Sequence, residues 1–317
     1  MSFFAPEKFT EESINNLKSE LTDKAIIAAS GGVDSTIAAV LAAKAVGDNL
    51  LAIYVDTGYM RLNESQFVSS MLEELGVKYK VIDASKKFYE GLEGVIDPEE
   101  KRKIIGELFI RVFEEEAKEY GGKFLVQGTI APDWIESGGG MRDTIKSHHN
   151  VGGLPDDMAM ELCEPIRELY KDEVRLLAEF LEVPVAHRQP FPGPGLAVRI
   201  MGEATPERTD IVRKACHIVE DELESAAKNG KMELPWQYFA VLLPVKTVGV
   251  QGDVRAYGNT IAVRAVQSYD AMTAQALDVP YSVLRKISER ITRELKSDVN
   301  RVVYDITDKP PGTIEWE

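Results

Sequence analysis

A short glycine-containing loop near the N-terminus, Ser30-Gly31-Gly32-Val33-Asp34-Ser35, most constrains how this chain can fold. The apolar run 24–29 before it has the length of a buried parallel strand. The Ala- and Val-rich segment 36–46 after it is typical of a helix. Glycines between a strand and a helix let the backbone turn tightly and direct N–H groups at an anion. The pattern therefore predicts an α/β fold with a phosphate site after its first strand.

Further apolar segments alternate between strand and helix patterns. Strands are expected at 50–55, 79–82 and 124–126, and helices at 7–22, 64–75, 98–120 and 171–181. This alternation predicts βαβ units and a doubly wound, mostly parallel sheet. Ligands in such sheets bind beyond the carboxyl ends of the strands. Residues 30–35, Asp56 and 127–129 all follow strand ends, so we expect them to converge on one edge.

The chain length of 317 residues favours two domains. The Pro- and Gly-rich run 188–195 interrupts regular structure, and we place the domain boundary there, which gives domains 1–189 and 190–317. Helices at 206–228 and 281–296, with strands at 241–250, 261–266 and 302–306, predict a smaller α+β second domain. Thr205 and Pro206 are suited to the N-cap and first position of the helix that follows.

The segment 137–155 contains glycines at both ends and little core material. A long loop of this composition is either a disordered linker or a moving lid over an active site. Lys146, His148 and His149 lie within it.

Charge and composition exclude several classes of function. The net charge is -15, and residues 1–190 hold 21 of the 37 basic and 34 of the 52 acidic side chains. A general nucleic-acid binder needs a basic surface, so no nucleic-acid partner is expected. No apolar run approaches the ~20 residues that span a bilayer, and no signal peptide is expected. Two widely spaced cysteines, Cys163 and Cys216, predict reduced thiols in a cytoplasmic protein.

The side chains of the loop favour a phosphate site over a plain turn. Ser30 and Ser35 could donate to phosphate oxygens. Asp34 would repel phosphate unless Mg²⁺ lies between them, which makes Asp34 a candidate metal contact. The loop lacks the Gly-Lys-Ser/Thr of a Walker A motif and is not a G-x-G-x-x-G motif. Two glycines alone would fit a plain turn, but two serines and an aspartate favour phosphate binding.

The hexapeptide 30–35 resembles the signature of the ATP-pyrophosphatase, or PP-loop, superfamily, whose members cleave ATP between the α and β phosphates. The loop does not choose among those members. Longer blocks at 54–61, 127–137, 145–155, 164–175, 190–199, 248–253 and 308–317 are similar to the GMP synthetase family. This resemblance covers nearly the whole chain and implies an adenine nucleotide α-hydrolase-like fold.

The resemblance implies ATP-dependent amination of XMP to GMP through an adenylyl-XMP intermediate, with Mg²⁺ and release of AMP and pyrophosphate. Many GMP synthetases carry an amidotransferase domain, which needs a reactive cysteine. Neither Cys163 nor Cys216 lies in a glycine-flanked nucleophile turn, and packing is the simpler role for both. Ammonia is therefore expected from a separate glutamine amidotransferase subunit or from solution. A homodimer through the C-terminal domain is a further expectation from the family.

The loop chemistry and the resemblance together give a set of candidate residues. Those expected to bind ATP are Ser30, Gly31, Gly32, Val33, Asp34, Ser35, Val55 and Gly128. Those expected to act in catalysis are Asp34, Lys146 and Lys171, and those expected to hold Mg²⁺ are Asp34, Asp133 and Glu136. Those expected to bind XMP are Arg61, Asp253, Lys309, Thr313, Ile314 and Glu315.

Simpler interpretations stay open for several of these residues. Asp133 and Glu136 could mark a solvated helix start, where acidic residues favour the dipole. Lys171 could be a surface lysine, and Gly128 a turn at a strand end. A charged C-terminal tail could fray, although Pro310-Pro311 and Trp316 favour docking.

Two other functions compete with XMP amination. A tRNA thiolase with the same loop would need a basic RNA surface and reactive cysteines, and the sequence offers neither. An ATP-sensing module would not need a lid or a docked tail.

Overall fold

The computed structural model of the protein describes residues 4–136, 160–251, 254–269 and 271–317. The chain forms two compact units. The first contains the residues up to Thr57, Asn63–Ala84 and Gly106–Arg188, and the second contains Gly58–Leu62, Ser85–Ile105 and Gln189–Glu317. The chain last enters the second unit at Gln189. A division into domains after residue 189 stays a prediction.

In the described part of the first unit the strands form a five-stranded sheet, and every strand pair there is parallel. Its strands are β1 (Ala25–Ala28), β2 (Leu50–Asp56), β3 (Tyr79–Asp83), β4 (Phe124–Val126) and β5 (Glu161–Cys163), in the order β3-β2-β1-β4-β5. The predicted parallel sheet is confirmed.

Helices alternate with these strands and continue into the second unit. The described helices are α1 (Pro6–Glu20), α2 (Val33–Val46), α3 (Glu64–Glu74), α4 (Ser85–Gly91), α5 (Pro98–Tyr120), α6 (Ala131–Glu136), α7 (Lys171–Phe180), α8 (Pro206–Lys228) and α9 (Tyr281–Glu294). Short 3-10 helices occupy Gly47–Asn49 and Gly195–Arg199.

The strand order places the loop 30–35 at the point where the sheet changes direction. From β1 the chain adds β2 and then β3 on one side, and β4 and β5 lie on the other side of β1. Right-handed crossovers in both directions put the connecting helices on opposite faces of such a sheet. Ligands bind in the crevice at this kind of switch point. The loop after β1 and the residues after β4 therefore face the same crevice.

The core of the first unit explains why α2 has no polar face. The side chains from Ile37 to Ala42 are all at most 1% exposed. Helix α2 packs against α1, α7 and the strands of the sheet. A helix that is covered on all sides is apolar all round, so its sequence shows no amphipathic period.

The second unit is an α+β structure, as expected. Its strands are β6 (Gln237–Gln251), β7 (Val254–Gln267), β8 (Gln275–Ala276) and β9 (Val299–Tyr304). Strand β7 pairs antiparallel with β6 and β8 and parallel with β9. Thr205 caps α8, because its Oγ1 accepts the Arg208 N–H over 3.3 Å, and Pro206 follows at the first position.

Five short elements among the described residues were not expected from the sequence. They are α4, β5, β8 and the 3-10 helices Gly47–Asn49 and Gly195–Arg199. Elements of two to seven residues contain too little chain for a hydrophobic period to be recognised.

Among the described residues, no helix is both long and apolar enough to cross a bilayer.

Candidate functional site

The phosphate loop, residues 30–35, is closed by hydrogen bonds among its own residues. Ser30 Oγ and Ser35 Oγ lie 2.8 Å apart, and the Gly32 N–H donates to Ser30 Oγ over 3.3 Å. Gly31 has a φ of 75°, in the left-handed region that favours glycine. Gly32 is the N-cap of α2 and provides no side-chain cap. The first N–H groups of α2 and its positive dipole end therefore suit an anion.

Gly128 lets β4 approach the first turn of α2. A Cβ at residue 128 would lie 2.6 Å from the Asp34 carbonyl carbon and 2.7 Å from the Ser35 nitrogen. Such distances to backbone atoms leave no space for any side chain. The close approach to α2 is the structural reason for glycine here. A contact between Gly128 and ATP stays a prediction.

Three of the predicted residues, Asp34, Asp133 and Lys171, are close enough for their charges to interact. Burial and, to a smaller extent, the charge of Asp133 raise the pKa of Asp34, and the charge of Lys171 lowers it; together they give a pKa of about 6. Asp133 lies at the start of α6, where its Oδ2 accepts the Ile130 N–H over 3.0 Å. Lys171 is the first residue of α7 and is exposed. Two carboxylates and one ammonium group therefore share the edge of the sheet where the loop lies.

This arrangement fits a Mg²⁺ ion held jointly with a nucleotide. The described residues contain no group of three or more His, Cys, Asp or Glu side chains that could hold a metal by themselves. Mg²⁺ in nucleotide sites needs only one or two carboxylates, since phosphate oxygens and water complete its octahedron. Asp34 and Asp133 supply that number, and a cation between them would relieve the repulsion that raises the pKa of Asp34.

Some predicted residues lie outside what the structure describes. These are Lys146 and Asp253, together with the side chain of Glu136. The segment 137–155, predicted as a linker or lid, lies outside the described residues as well.

Val55 has a buried place in β2. Its side chain is 3% exposed, and its residue pairs with Ile82 of β3. The adjacent Asp56 ends the strand, and its Oδ2 accepts a hydrogen bond from Ser65 Oγ in α3. The Val55 side chain is therefore part of the core, so a contact with ATP would use its backbone.

Arg61, in the second unit, is engaged by protein groups. Its Nη2 donates to the Gln189 carbonyl over 3.1 Å, and its Nε lies 3.5 Å from Glu220 Oε1. The guanidinium also lies over the Phe191 ring at 4.3 Å. These contacts fix the direction of the side chain, which is 8% exposed. The role of Arg61 toward XMP stays a prediction.

The C-terminal tail is docked, as its prolines and Trp316 predicted. Trp316 Nε1 donates to Asp305 Oδ2 over 3.0 Å. The carbonyls of Thr313 and Ile314 accept hydrogen bonds from Arg264 over 2.8 and 3.0 Å. Lys309 Nζ donates to the Ala271 carbonyl over 2.7 Å. Each tail residue predicted to contact XMP therefore lies in an ordered stretch of the second unit.

Glu315 already has partners within the protein. The fully buried Arg199 donates to both of its carboxylate oxygens, over 3.1 and 2.8 Å, and Gln237 Nε2 donates over 2.9 Å. Since each carboxylate oxygen accepts more than one hydrogen bond, these contacts leave room for a ligand hydroxyl or N–H. Binding of XMP by Glu315 stays a prediction.

A second buried cation anchors the last residue. Lys101 is 0% exposed, and its Nζ donates to the Ile200 carbonyl over 2.7 Å and to the Glu317 carboxylate. Burial lowers the pKa of Lys101, while the Glu317 carboxylate favours its charged form. The tail is thus held at both of its ends.

Arg264→Met should detach the tail and destabilise the second unit. Arg264 is 0% exposed and donates to Asp305, to the Thr307 carbonyl and to two tail carbonyls. Removing one partner of a buried ion pair costs about 3–5 kcal/mol. Chemical denaturation should show a loss of this size. Arg285→Gln removes an exposed pair with Glu289 and should leave stability unchanged. Equal stability of both variants would contradict tail anchoring by Arg264.

Both cysteines are buried and unpaired. Burial raises the pKa of Cys163 to about 12, with a smaller contribution from Glu20, and burial also raises the pKa of Cys216. Their thiols are therefore protonated near neutral pH, which disfavours nucleophilic attack. This agrees with the packing role expected for them.

The sequence did not single out the buried Glu64 and the partly exposed Arg188, which form an ion pair next to the phosphate loop. Glu64 is the first residue of α3, so in sequence it looks like an acidic residue that favours a helix dipole. Arg188 begins the Pro- and Gly-rich run. No sequence signal connects two residues so far apart.

Comparison with known families gives the class of protein to which this doubly wound sheet belongs: the ATP-dependent synthetases of the PP-loop kind. Residues 7–111 match the family described as NAD synthase. Residues 224–316 match the family described as GMP synthase C terminal domain.

Full-length relatives narrow the class. The chain is 56% identical to the B subunit of glutamine-hydrolyzing GMP synthase from Thermoplasma acidophilum, over 97% of this chain and 99% of that one. It is 58% identical to the protein of that name from Pyrococcus abyssi, over 98% and 99% of the two chains. The Methanopyrus kandleri protein of that name is 56% identical, over 99% and 100%. The chain therefore belongs to the family of GMP synthase B subunits.

Similar solved structures include NMN synthetase from Francisella tularensis, with 17% identity, a TM-score of 0.47 and coverage of 73% of this chain and 88% of that one. NH3-dependent NAD synthetase from Campylobacter jejuni has 15% identity, a TM-score of 0.46 and coverage of 73% and 87%.

Proposed function

We propose that this chain catalyses the ATP-dependent amination of XMP to GMP, as the synthetase subunit of a glutamine-hydrolysing GMP synthase. The observation that carries the proposal is the phosphate loop with Asp34, Asp133 and Lys171 beside it, in a member of this family. The reaction makes a C–N bond, so the chain is a ligase.

The reaction has two steps. The C2 oxygen of XMP attacks the α-phosphorus of ATP, and the bond to the β-phosphate oxygen breaks as pyrophosphate leaves. Ammonia then attacks C2 of the adenylyl-XMP intermediate, the C2–O bond breaks, and AMP departs with the oxygen. The nitrogen loses its surplus protons to give the amino group of GMP. Negative charge grows on phosphoryl oxygens in the first step, so fixed donors and cations should supply most of the rate enhancement.

We assign ATP binding to Ser30, Gly31, Gly32, Val33, Asp34, Ser35, Val55 and Gly128. The N–H groups at the start of α2 would bind phosphate oxygens, and Lys171 would neutralise charge on the leaving pyrophosphate. Asp34 and Asp133, with Glu136, would hold Mg²⁺, which when bound would neutralise phosphate charge. Lys146 is proposed as a second catalytic cation.

We assign XMP binding to Arg61, Asp253, Lys309, Thr313, Ile314 and Glu315. Lys309 and Arg61 suit an anionic phosphate, and Glu315 suits a ribose hydroxyl or a purine N–H. The docking of the tail by Arg264 and Arg199 supports this assignment, because an ordered tail loses less entropy when it binds a ligand.

Ammonia is proposed to come from a separate glutamine amidotransferase subunit. The two buried thiols with raised pKa support this division of labour, because a glutaminase of this kind needs a reactive cysteine. We also propose a homodimer and a cytoplasmic location, the latter in keeping with two unpaired cysteines. Membership of the GMP synthase B-subunit family disfavours the two competing functions, a tRNA thiolase and an ATP-sensing module. XMP would stabilise neither of them.

The test is an assay of the purified chain with ATP, Mg²⁺, XMP and an ammonium salt in alkaline buffer. GMP, AMP and pyrophosphate are expected in equal amounts. Glutamine in place of ammonium should give no GMP. Absence of GMP with ammonium would refute the proposed activity, and turnover with glutamine alone would refute the separate subunit.

A further inference from the structure

An ion pair between the buried Glu64 and Arg188, whose side chain is 24% exposed, lies next to the phosphate loop. Glu64 is 3% exposed, and Arg188 donates to its two carboxylate oxygens over 2.7 and 2.6 Å. The Arg188 guanidinium also lies 4.5 Å from the centre of the Phe67 ring. The planar guanidinium matches a carboxylate at two points, so this pair holds both side chains in one orientation.

The pair contacts the loop at Gly31. A Cβ at Gly31 would lie 3.1 Å from Glu64 Oε1 and 3.8 Å from Arg188 Nη1, which are the two atoms that share one of the hydrogen bonds. It would also lie 2.9 Å from Val68 Cγ2 on the same helix, α3. The back of the loop therefore rests on the ion pair and on α3. The loop cannot move toward them without displacing one or the other.

The Glu64 end of the pair lies close to strand β2. Tyr54 of β2 is 0% exposed, and burial raises its pKa, with Glu64 as the next cause. Ser65, next to Glu64, donates to Asp56 at the end of β2. The first turn of α3 is thus bonded to the end of a central strand. These hydrogen bonds are partly buried, and hydrogen bonds shielded from water are stronger and more costly to break.

We propose that Glu64 and Arg188 are positioning residues that hold the phosphate loop in the conformation that binds ATP. They act through Gly31 and need no contact with the nucleotide. This inference rests on the proposed ATP site at residues 30–35, and it assigns a role to two residues outside that site.

The experiment compares Glu64→Gln, Arg188→Lys and Arg188→Gln with the wild type. Calorimetric titration with ATP and Mg²⁺ gives the Kd, and steady-state kinetics give the KM for ATP and for XMP. Each variant should bind ATP about tenfold to a hundredfold more weakly, because small displacements of a site have effects of this size. The KM for XMP should stay unchanged.

Two of the variants separate positioning from simple electrostatics. Glu64→Gln leaves the Arg188 cation unneutralised near the loop, so a purely electrostatic role predicts tighter ATP binding. Positioning predicts weaker binding. Arg188→Lys keeps the charge but cannot make the two-point contact, so weaker binding is again expected. Wild-type or tighter ATP affinity in Glu64→Gln or in Arg188→Lys would overturn the proposal. If Arg188→Gln does not fold, these two variants are sufficient for the test.

Arg290→Gln provides the matched control. Arg290 Nη1 donates over 2.8 Å to Glu222, which is 7% exposed and lies in the second unit. This variant should be less stable but should keep the ATP affinity of the wild type. An equal loss of affinity in the control would overturn the positioning role. A wild-type chain that does not bind ATP would instead refute the proposed function.

Discussion

Asp34→Asn should abolish most GMP formation while making the protein without nucleotide more stable. The activity should fall by about two to three orders of magnitude, since Asp34 is proposed to hold the ion that neutralises phosphate charge. The stability should rise because ionisation of Asp34 is unfavourable in the folded state: burial and Asp133 raise its pKa from 3.8 to about 6. At neutral pH the free energy of unfolding should rise by about 1–2 kcal/mol. This is less than the pKa shift of Asp34 alone implies, because the variant also loses the interaction of the charged carboxylate with the α2 dipole.

The pH dependence of the stability difference between Asp34→Asn and the wild type shows directly whether ionised Asp34 destabilises the folded protein. A carboxyl group with a raised pKa stabilises the folded state at low pH, and that stabilisation is lost as the pH rises through about 6. The variant and the wild type should therefore be similar in stability near pH 4 and should diverge up to neutral pH. Denaturation in Mg²⁺-free buffer measures this. A variant that is less stable at neutral pH would show that Asp34 has a structural role instead.

Gly128→Ala should disable the enzyme by moving the start of α2. The new Cβ would lie 2.6 Å from the backbone of Asp34. Because the clash is with backbone atoms of α2, no change of side-chain rotamer can relieve it. The loop must shift by several tenths of an ångström. We expect kcat/KM for ATP to fall by about a hundredfold or more, together with a lower melting temperature.

Gly106→Ala is the matched control for this substitution. Gly106 lies within α5, and a Cβ there would meet nothing within 4 Å. Alanine in a helix interior is favoured over glycine by about 0.5–1 kcal/mol, so this variant should be slightly more stable and fully active. If Gly128→Ala behaved like Gly106→Ala, the close approach of β4 to the loop would be contradicted.

Local sequence signals were sufficient to predict the fold. The buried strands β1 and β2, the long helices α5 and α8 and the Thr205 cap each have a signal within a few residues of chain. Because parallel strands meet at their carboxyl ends, the convergence of residues 30–35 and Gly128 also followed from the strand pattern.

The contacts that hold the site together could not be predicted in this way. The pairs Glu64–Arg188, Arg199–Glu315 and Lys101–Glu317 join residues separated by more than a hundred positions. Apart from Glu315, which was expected to bind XMP, each of these residues by itself resembles an ordinary charged surface residue, and only the folded chain shows which partner lies beside it. For Gly128 the strand pattern predicted a place near the loop and the contact with ATP stays a prediction, while its close approach to the backbone of α2 is visible only in the structure.

The most direct test of the proposed chemistry follows the C2 oxygen of XMP. XMP labelled with ¹⁸O at C2 is converted with ATP, Mg²⁺ and an ammonium salt, and the products are analysed by mass spectrometry. If that oxygen attacks the α-phosphate and leaves with it, the AMP should be two mass units heavier and the pyrophosphate unlabelled. Unlabelled AMP formed together with GMP would contradict the adenylyl intermediate.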